Sequence, residues 1–200
     1  MDICPFARPA RSATRILALD GGHGGGGDSQ PGGGLDDDLV ERILLQHLVV
    51  EALAVGAVPP AEKCTTLAIL PPVRYGSFER YMAFVGKARP LVAAAIAAAA
   101  AAAVSPAGSG AAVSPVTLIP FHPKTTYARG VRHDPALYVS RSPHPTVHLL
   151  RESDVALAEV ALEAAGSGPA AVSARNEALL RGMGAAEVVA RWARCFLGEG

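Results

Sequence analysis

The 200-residue chain has few cysteines, few aromatic residues and no net charge, and each of these features argues against a class of protein. The three cysteines, Cys4, Cys64 and Cys195, are far apart and form no Cys-x-x-Cys pair, so a zinc ribbon and a dithiol redox motif are unsupported. Aromatic residues make up 5% of the chain, too few for a series of base-stacking platforms. The formal net charge of +0 gives no basic patch for nucleic acid.

Long hydrophobic segments are also scarce. The longest apolar run, at 91–104, is shorter than the roughly 20 residues that span a bilayer. Cys4 and Pro5 stand where a secretory signal would begin its basic and apolar segments. With free thiols typical of a reducing compartment, these features predict a cytoplasmic protein that binds neither membrane nor nucleic acid. An organellar location remains open, and the oligomeric state is not indicated.

The hydrophobic residues, half of the chain, predict one α/β domain over residues 1–200. Apolar runs predict strands at 14–19, 64–72, 116–121 and 146–151. Helical patterns occur at about 36–56, 77–104 with a kink at Pro90, 153–166 with Ser153 as its cap, and 173–197. A helical turn is the alternative at 146–151. The order β-α-β-α-β-β-α-α therefore predicts a mixed, mostly parallel four-stranded sheet flanked by helices.

Two segments are dominated by small residues. The glycine-rich segment 20–34 is interpreted as a flexible loop, and residues 97–115 as a connector rich in Ala, Gly, Ser and Pro. Residues 22–27, GHGGGG, satisfy the G-x-G-x-x-G pattern of nucleotide-binding turns. That motif must lead directly into a helix, whereas here Pro31 and further glycines intervene and three aspartates open the helix. The pattern therefore does not indicate a nucleotide cofactor, and no other cofactor is indicated.

Several short motifs occur in a characteristic order along the chain. They are CPFA at 4–7, TTLAILPP at 65–72, FHP at 121–123, HDPALYVSRSPHPTVHLLRE at 133–152 and ARNEALLRGMG at 174–184. In this order they resemble a family catalogued as domain of unknown function 1415, and the resemblance covers nearly the whole chain. It implies a compact soluble α/β protein and carries no established activity.

The polar residues of these motifs predict a site for a small anionic molecule. Arg141 and Arg151 can each hold a carboxylate or phosphate through two parallel hydrogen bonds. Ser142 and His148 complete the predicted substrate-binding set, and the two prolines after Ser142 would stiffen the loop. Each arginine could instead form an ion pair with Glu152, Asp134 or another carboxylate.

His122 and Cys4 are the predicted catalytic residues. His122 directly follows a strand, where ligand-binding groups gather in open α/β sheets, and could act as a general acid or base. Cys4 could be a nucleophile if His122 lowers the pKa of its thiol. This enzyme hypothesis requires that His122, Arg141 and Arg151 point into one pocket. The alternative is a non-catalytic ligand-binding or protein-interaction module, in which the same polar residues form an internal network.

A third hypothesis is a metal site that uses His122, His148 and either Cys4 or Asp134. Its ligand atoms would have to converge at about 2.0–2.3 Å from one ion. His144 and His148 would share a helical face, but on an extended chain they lie about 13 Å apart, and the flanking prolines favour the extended form. The family has tyrosine where this chain has His144, so the resemblance supplies no metal-binding role for it.

Overall fold

The computed structural model describes residues 14–19, 36–62, 64–104, 113–125 and 134–197. In these ranges the strands are β1 (Thr14–Ala18), β2 (Thr65–Ile69), β3 (Val116–Phe121) and β4 (Thr146–Arg151). The α-helices are α1 (Asp37–Ala57), α2 (Pro72–Tyr75), α3 (Phe78–Val104), α4 (Glu152–Ala164), α5 (Pro169–Met183) and α6 (Ala185–Leu197). A 3₁₀ helix, Pro135–Ser140, precedes β4. The predicted single α/β domain with a four-stranded mixed sheet is confirmed, whereas its extent over residues 1–200 stays a prediction.

The sheet has the order β1-β2-β4-β3. β1 and β2 pair in parallel, and β4 pairs in antiparallel fashion with both β2 and β3. The first three strands therefore run in the same direction, but the prediction of a mostly parallel sheet is wrong because β4 lies between two of them. Residues 146–151 form a strand, as favoured. β4 is buried at five of its six positions, which suits a central strand, while β1 is largely exposed at the edge.

One face of the sheet carries the hydrophobic core. Side chains alternate between faces along a strand, so Val147, Leu149 and Arg151 of β4 share this face. Helices α1 and α3 cover it with apolar side chains, including Leu44, Leu48, Tyr81, Phe84 and Val85, all nearly inaccessible to solvent. The buried residues of α1 recur mostly at four-residue intervals, and Asp36 caps this helix by accepting a hydrogen bond from the Asp38 amide.

Helix α3 begins after Ser77, whose hydroxyl accepts a hydrogen bond from the Arg80 amide at 3.3 Å. The helix continues through Pro90 to residue 104, as the pattern at 77–104 predicts, so the overlapping connector predicted at 97–115 is wrong for its first eight residues. Pro90 cannot donate to the carbonyl of Gly86, but both residues are exposed, so water can satisfy that carbonyl. Residues 105–112, like the glycine-rich loop 20–34, lie outside the described ranges.

Helix α3 is also long and apolar enough, by length and composition alone, to cross a membrane. The bent pair α4–α5 would add a second candidate only if its 80° bend lay within one span. Both observations are weak evidence, since core helices of soluble proteins pass the same test. The cytoplasmic location and the absence of membrane partners therefore stay predictions.

The C-terminal region differs from its predicted boundaries. The helix predicted at 173–197 is two helices, separated at Gly184, which has a φ of 79° that favours glycine. Pro169 occupies the first turn of α5, a position that tolerates proline, so residues 169–172 are helical. The N-cap of α4 is Arg151 and makes no side-chain capping bond, so the prediction that Ser153 caps this helix is wrong.

Gly56 is required by close packing at the end of α1. A Cβ at this position would lie 2.6 Å from the carbonyl oxygen of Ser114 and 2.8 Å from Cγ1 of Val113. We expect Gly56→Ala to lower the free energy of unfolding by about 1–3 kcal/mol, since the backbone must shift to admit the methyl group. Gly86→Ala is the matched control, because its Cβ would meet no atom within 4 Å.

The control is expected to raise the free energy of unfolding by about 0.5–1 kcal/mol, the difference in helix propensity between alanine and glycine. Urea denaturation of both variants measures the two effects. Equal stabilisation by the two substitutions would contradict the packing at Gly56.

Candidate functional site

The sheet register separates two of the predicted site residues. Thr146 pairs with Phe121 at one end of the strands, and Arg151 pairs with Val116 at the other end. The end with Phe121, where β3 finishes, is called the carboxyl edge of the sheet. His122 follows Phe121 and is six residues beyond Val116, so it lies at the opposite end of the sheet from Arg151, about 20 Å away at 3.3 Å per residue. The prediction that His122, Arg141 and Arg151 share one pocket is therefore wrong for Arg151, because β4 carries it across the sheet.

Arg151 is fully buried. Its Nε donates to Asp154 Oδ2 at 2.8 Å, and its Nη1 donates to the carbonyl oxygens of Val58 at 2.6 Å and Pro59 at 2.9 Å. Nη2 donates to the carbonyl oxygen of Glu62. These contacts tie the connection between α1 and β2 to the start of α4. They occupy most of the donors with which Arg151 was expected to bind an anion.

From the sequence, the ion-pair partner of Arg151 was expected to be Glu152, Asp134 or another carboxylate. It is another carboxylate. Asp154 forms the ion pair. Glu152 is exposed, and Asp134 instead accepts from Arg181. The spacing of three residues across the first turn of α4 brings Asp154 next to Arg151.

His122 is also fully buried, at the end of β3. Its Nε2 donates to the carbonyl oxygen of Tyr75 at 2.8 Å, and its Nδ1 accepts from the Lys124 amide at 3.0 Å. Burial lowers the pKa of the imidazole, and the backbone bond to Tyr75 opposes this in part. The ring packs between Phe78 and Tyr81, with centroid distances of 5.5 and 5.0 Å. Both ring nitrogens are occupied, so neither is available to a substrate in this arrangement.

Thr125 brings His122 and Arg141 to the same edge of the sheet. The amide of Thr125 donates to the carbonyl oxygen of His122 at 3.1 Å, and its hydroxyl lies 2.9 Å from the same oxygen and 3.3 Å from the Ser140 carbonyl. The Thr125 carbonyl in turn accepts from Arg141 Nη2 at 3.4 Å. This edge also holds the carboxyl ends of β1 and β2, where ligands bind in open α/β sheets.

Arg141 is half-buried beside this turn. Its guanidinium carbon lies 4.6 Å from the centroid of the Tyr138 ring, within the range of a cation–π interaction. Within the described part of the chain, the Nη atoms make no hydrogen bond apart from the long one to Thr125, and the buried Nε makes none. No described carboxylate forms an ion pair with Arg141. The role of Arg141 as an anion contact stays a prediction, and the arrangement of its Nη atoms is compatible with that role.

The 3₁₀ helix before Arg141 is held by Asp134, which the sequence indicated for other roles, and by Arg181, which it did not single out. Asp134 caps the helix by accepting from the Ala136 amide at 2.9 Å, and Arg181 of α5 donates to the same carboxylate at 2.9 Å. The hydrogen bond from Arg181 is the main reason that the pKa of Asp134 is lowered. Tyr138 contacts Trp192 of α6 at 5.6 Å between ring centroids. The Asp-Pro pair was a local signal for the cap, but nothing local indicated Arg181.

The remaining members of the predicted set are placed as follows. The Ser142 hydroxyl donates to the carbonyl oxygen of His144, within its own loop, and Thr146 donates to the same oxygen at 2.8 Å. The Pro145 carbonyl accepts from the Leu70 amide at 2.8 Å, which ties this loop to the end of β2. The contribution of Ser142 to ligand binding stays a prediction. Cys4 lies outside the described residues.

His148 occupies the middle of β4, on the face opposite the core. Its Nε2 contacts the hydroxyl of Thr65, which donates to the carbonyl of Leu149 at 2.9 Å. Because the Thr65 hydroxyl donates its proton to Leu149, it can only accept from His148. Nε2 of His148 therefore carries the imidazole proton, and Nδ1 is left as a hydrogen-bond acceptor. Phe121 packs nearby at 6.3 Å between ring centroids. Burial lowers the pKa of His148 to about 4, so the ring is neutral at physiological pH.

The described residues offer no metal centre. Within them, no three His, Cys, Asp or Glu side chains are arranged so that they could hold one ion. His122 uses both nitrogens at the edge of the sheet, and His148 projects from its middle. The third hypothesis therefore gains no support from the part of the chain that can be described.

These observations define an α/β protein with a mixed four-stranded sheet and a half-buried arginine at the edge where three strands end. Residues 36–190 match the family model described as "Protein of unknown function (DUF1415)". The chain belongs to this family, as its motifs suggested. Comparison with curated proteins and with solved structures found no match.

Proposed function

We propose that the protein binds a small anionic molecule, a carboxylate or a phosphate, at the carboxyl edge of its sheet, with Arg141 as the anion contact. The observation that carries the proposal is that the guanidinium group of Arg141 has no carboxylate partner among the described residues. Arg141 is half-buried, and among the described residues its Nε has no hydrogen-bond partner and no carboxylate neutralises its charge. The oxygen atoms of an anionic ligand would neutralise this charge through the Nη atoms, since Nε is enclosed.

The comparison with other arginines supports this proposal. Of the eleven arginines in the described ranges, three are not exposed: Arg74, Arg141 and Arg151. Arg74 pairs with Asp37 at 2.9 Å and Arg151 with Asp154 at 2.8 Å. A charge that is removed from water without a partner is costly, so the missing carboxylate at Arg141 is the exception that needs an explanation.

The proposal concerns binding and not catalysis. General acid–base chemistry by His122 would require one of its ring nitrogens to leave a backbone partner. Removal from water favours its neutral form, which donates through Nε2 to Tyr75. The hydrogen bonds of His122 support a structural role: its carbonyl accepts from Thr125 and so stabilises the turn next to the anion contact.

The competing proposal is that Arg141 only fastens the loop to the sheet. Its bond to Thr125 and its contact with Tyr138 favour this alternative. The hydrogen bond is long at 3.4 Å and uses one of five donors. The two proposals differ in one measurable respect, which is whether an anion stabilises the protein through Arg141.

A binding experiment separates them. We expect inorganic phosphate, succinate or citrate, titrated at constant ionic strength, to bind the wild-type protein and to raise its melting temperature. Arg141→Met should weaken that binding by at least about 30-fold, because the loss of a charged hydrogen-bonding partner costs 2 kcal/mol or more. Calorimetric titration measures the dissociation constants.

The matched control is Arg89→Met. Arg89 is exposed on α3 and donates only to the Leu118 carbonyl, so its loss changes the net charge equally without touching Arg141. The control should bind as the wild type does. Equal weakening in both variants would indicate a general charge effect, and absence of binding by the wild type would favour the structural alternative.

A further inference from the structure

Three side chains, Arg141, Tyr138 and Trp192, are in contact one after the other at the proposed anion contact. The Tyr138 ring lies against the Arg141 guanidinium at 4.6 Å and against the Trp192 ring at 5.6 Å, with an interplanar angle of 83° for the two rings. The Arg141 amide also donates to the Tyr138 carbonyl at 3.4 Å. The orientation of Arg141 therefore depends on the 3₁₀ helix that carries Tyr138.

The 3₁₀ helix is attached to the C-terminal helices more than to the core. None of its residues is fully buried, and it packs chiefly against α5. Arg181 in the last turn of α5 forms a two-nitrogen contact with Asp134, Nε at 3.2 and 3.3 Å and Nη2 at 2.9 Å. Planar, paired hydrogen bonds of this kind fix direction as well as distance.

We propose that Tyr138 and Arg181 are positioning residues for the anion contact, so that helices α5 and α6 hold Arg141 ready for its ligand. The inference rests on the proposed function of Arg141. An arginine side chain has many rotamers, and binding must overcome the loss of that freedom. The Tyr138 ring already restricts the position of the guanidinium group, and Arg181 fixes the helix that carries the ring.

These contacts also define which part of Arg141 meets the ligand. The guanidinium carbon lies over the Tyr138 ring at 4.6 Å, Nε is enclosed, and Nη2 reaches the Thr125 carbonyl. Nη1 makes no hydrogen bond to a described residue. An anion would thus approach the Nη end, in the plane of the group, where two parallel hydrogen bonds suit a carboxylate or a phosphate.

Trp192 provides a direct readout, since it is the one tryptophan of the 200-residue chain. We expect saturation with the anion that calorimetry identifies among phosphate, succinate and citrate to change its emission. Tyr138→Leu and Arg181→Met should each weaken binding by about 3- to 10-fold, the cost of ordering one long side chain. Tyr138→Phe keeps the ring and should bind as the wild type does.

Arg175→Met is the control for Arg181→Met. Arg175 is exposed on the same helix, and its loss changes the net charge equally while Asp134 keeps its partner. Melting temperatures and far-UV circular dichroism confirm that each variant is folded, and if Tyr138→Leu does not fold, the Arg181 pair decides.

The outcomes distinguish the two proposals. If the wild type binds, Arg141→Met does not, and Tyr138→Leu and Arg181→Met bind with wild-type affinity, the positioning role is wrong and the anion contact stands. If the wild type binds no probe, both proposals fail together. The inference is supported if Tyr138→Leu and Arg181→Met bind the anion more weakly than the wild type, while Tyr138→Phe and Arg175→Met bind it as the wild type does.

Discussion

Replacement of Arg151 by methionine is expected to lower the free energy of unfolding by about 3–5 kcal/mol, the usual effect of removing one partner of a buried ion pair. The guanidinium is inaccessible to solvent and donates to Asp154 and to three backbone carbonyls of the connection after α1. Methionine fills a similar volume without donating hydrogen bonds. The expected loss of stability therefore comes mainly from carbonyls without a hydrogen-bond donor and from an unpaired carboxylate, and little of it comes from a cavity.

Urea denaturation measures this effect, with an unchanged m-value as the sign that the unfolded states are comparable. Arg80→Met is the matched control. Arg80 is half-exposed and pairs with Asp37, which keeps a second partner in Arg74, so little change is expected. If Arg151→Met were as stable as this control, the buried contacts of Arg151 would not contribute as the geometry implies.

The stability of the protein is expected to fall steeply with acidification because of His148. Burial lowers its folded-state pKa from the ordinary 6.5 to about 4. A histidine with a depressed folded pKa is neutral in the folded protein and takes up a proton on unfolding, so its contribution is complete above pH 6.5. That contribution is lost as the pH falls from 6.5 to 4, and it amounts to about 3 kcal/mol.

His148→Gln tests this expectation. The glutamine amide can still donate to Thr65 but does not titrate between pH 4 and 7. Denaturation at half-unit steps of pH should give a shallower slope for the variant, by up to about one proton over this window. Its difference from the wild type should be constant above pH 7, which serves as the internal control. Some slope should persist in the variant, because burial also lowers the pKa of His122. Parallel curves for the two proteins would contradict a neutral, buried His148.

The local elements could be predicted because their signals are short in sequence. The run VTLIPF predicts β3 to the residue, Val116–Phe121, and Asp36 and Ser77 mark the starts of α1 and α3. A boundary failed at Gly184, whose positive φ divides a region with apolar spacing that continues on both sides. The helix predicted through Pro90 to residue 104 is present.

The candidate site was predictable only in part. His122 and Arg141 lie at the same edge, since His122 follows β3 and Arg141 lies in the loop that leads to β4, and Thr125 links them. Arg151 was assigned to the wrong end because its role depends on carbonyls at residues 58–62, to which no local pattern points. Tyr138 and Arg181 were missed for the same reason, as their partners lie on other elements.

The sequence by itself therefore determined the α/β class, the family, most strands and helices, and the motif that contains Arg141. These follow from side-chain periodicity, capping and turn chemistry, which act over a few residues. Only the tertiary structure decided that β4 lies between β2 and β3, that Arg151 is a buried clamp, and that Arg141 lacks a described carboxylate. Strand order and ion pairing depend on contacts between distant residues, whose free energies arise only when the whole sheet and its covering helices are assembled.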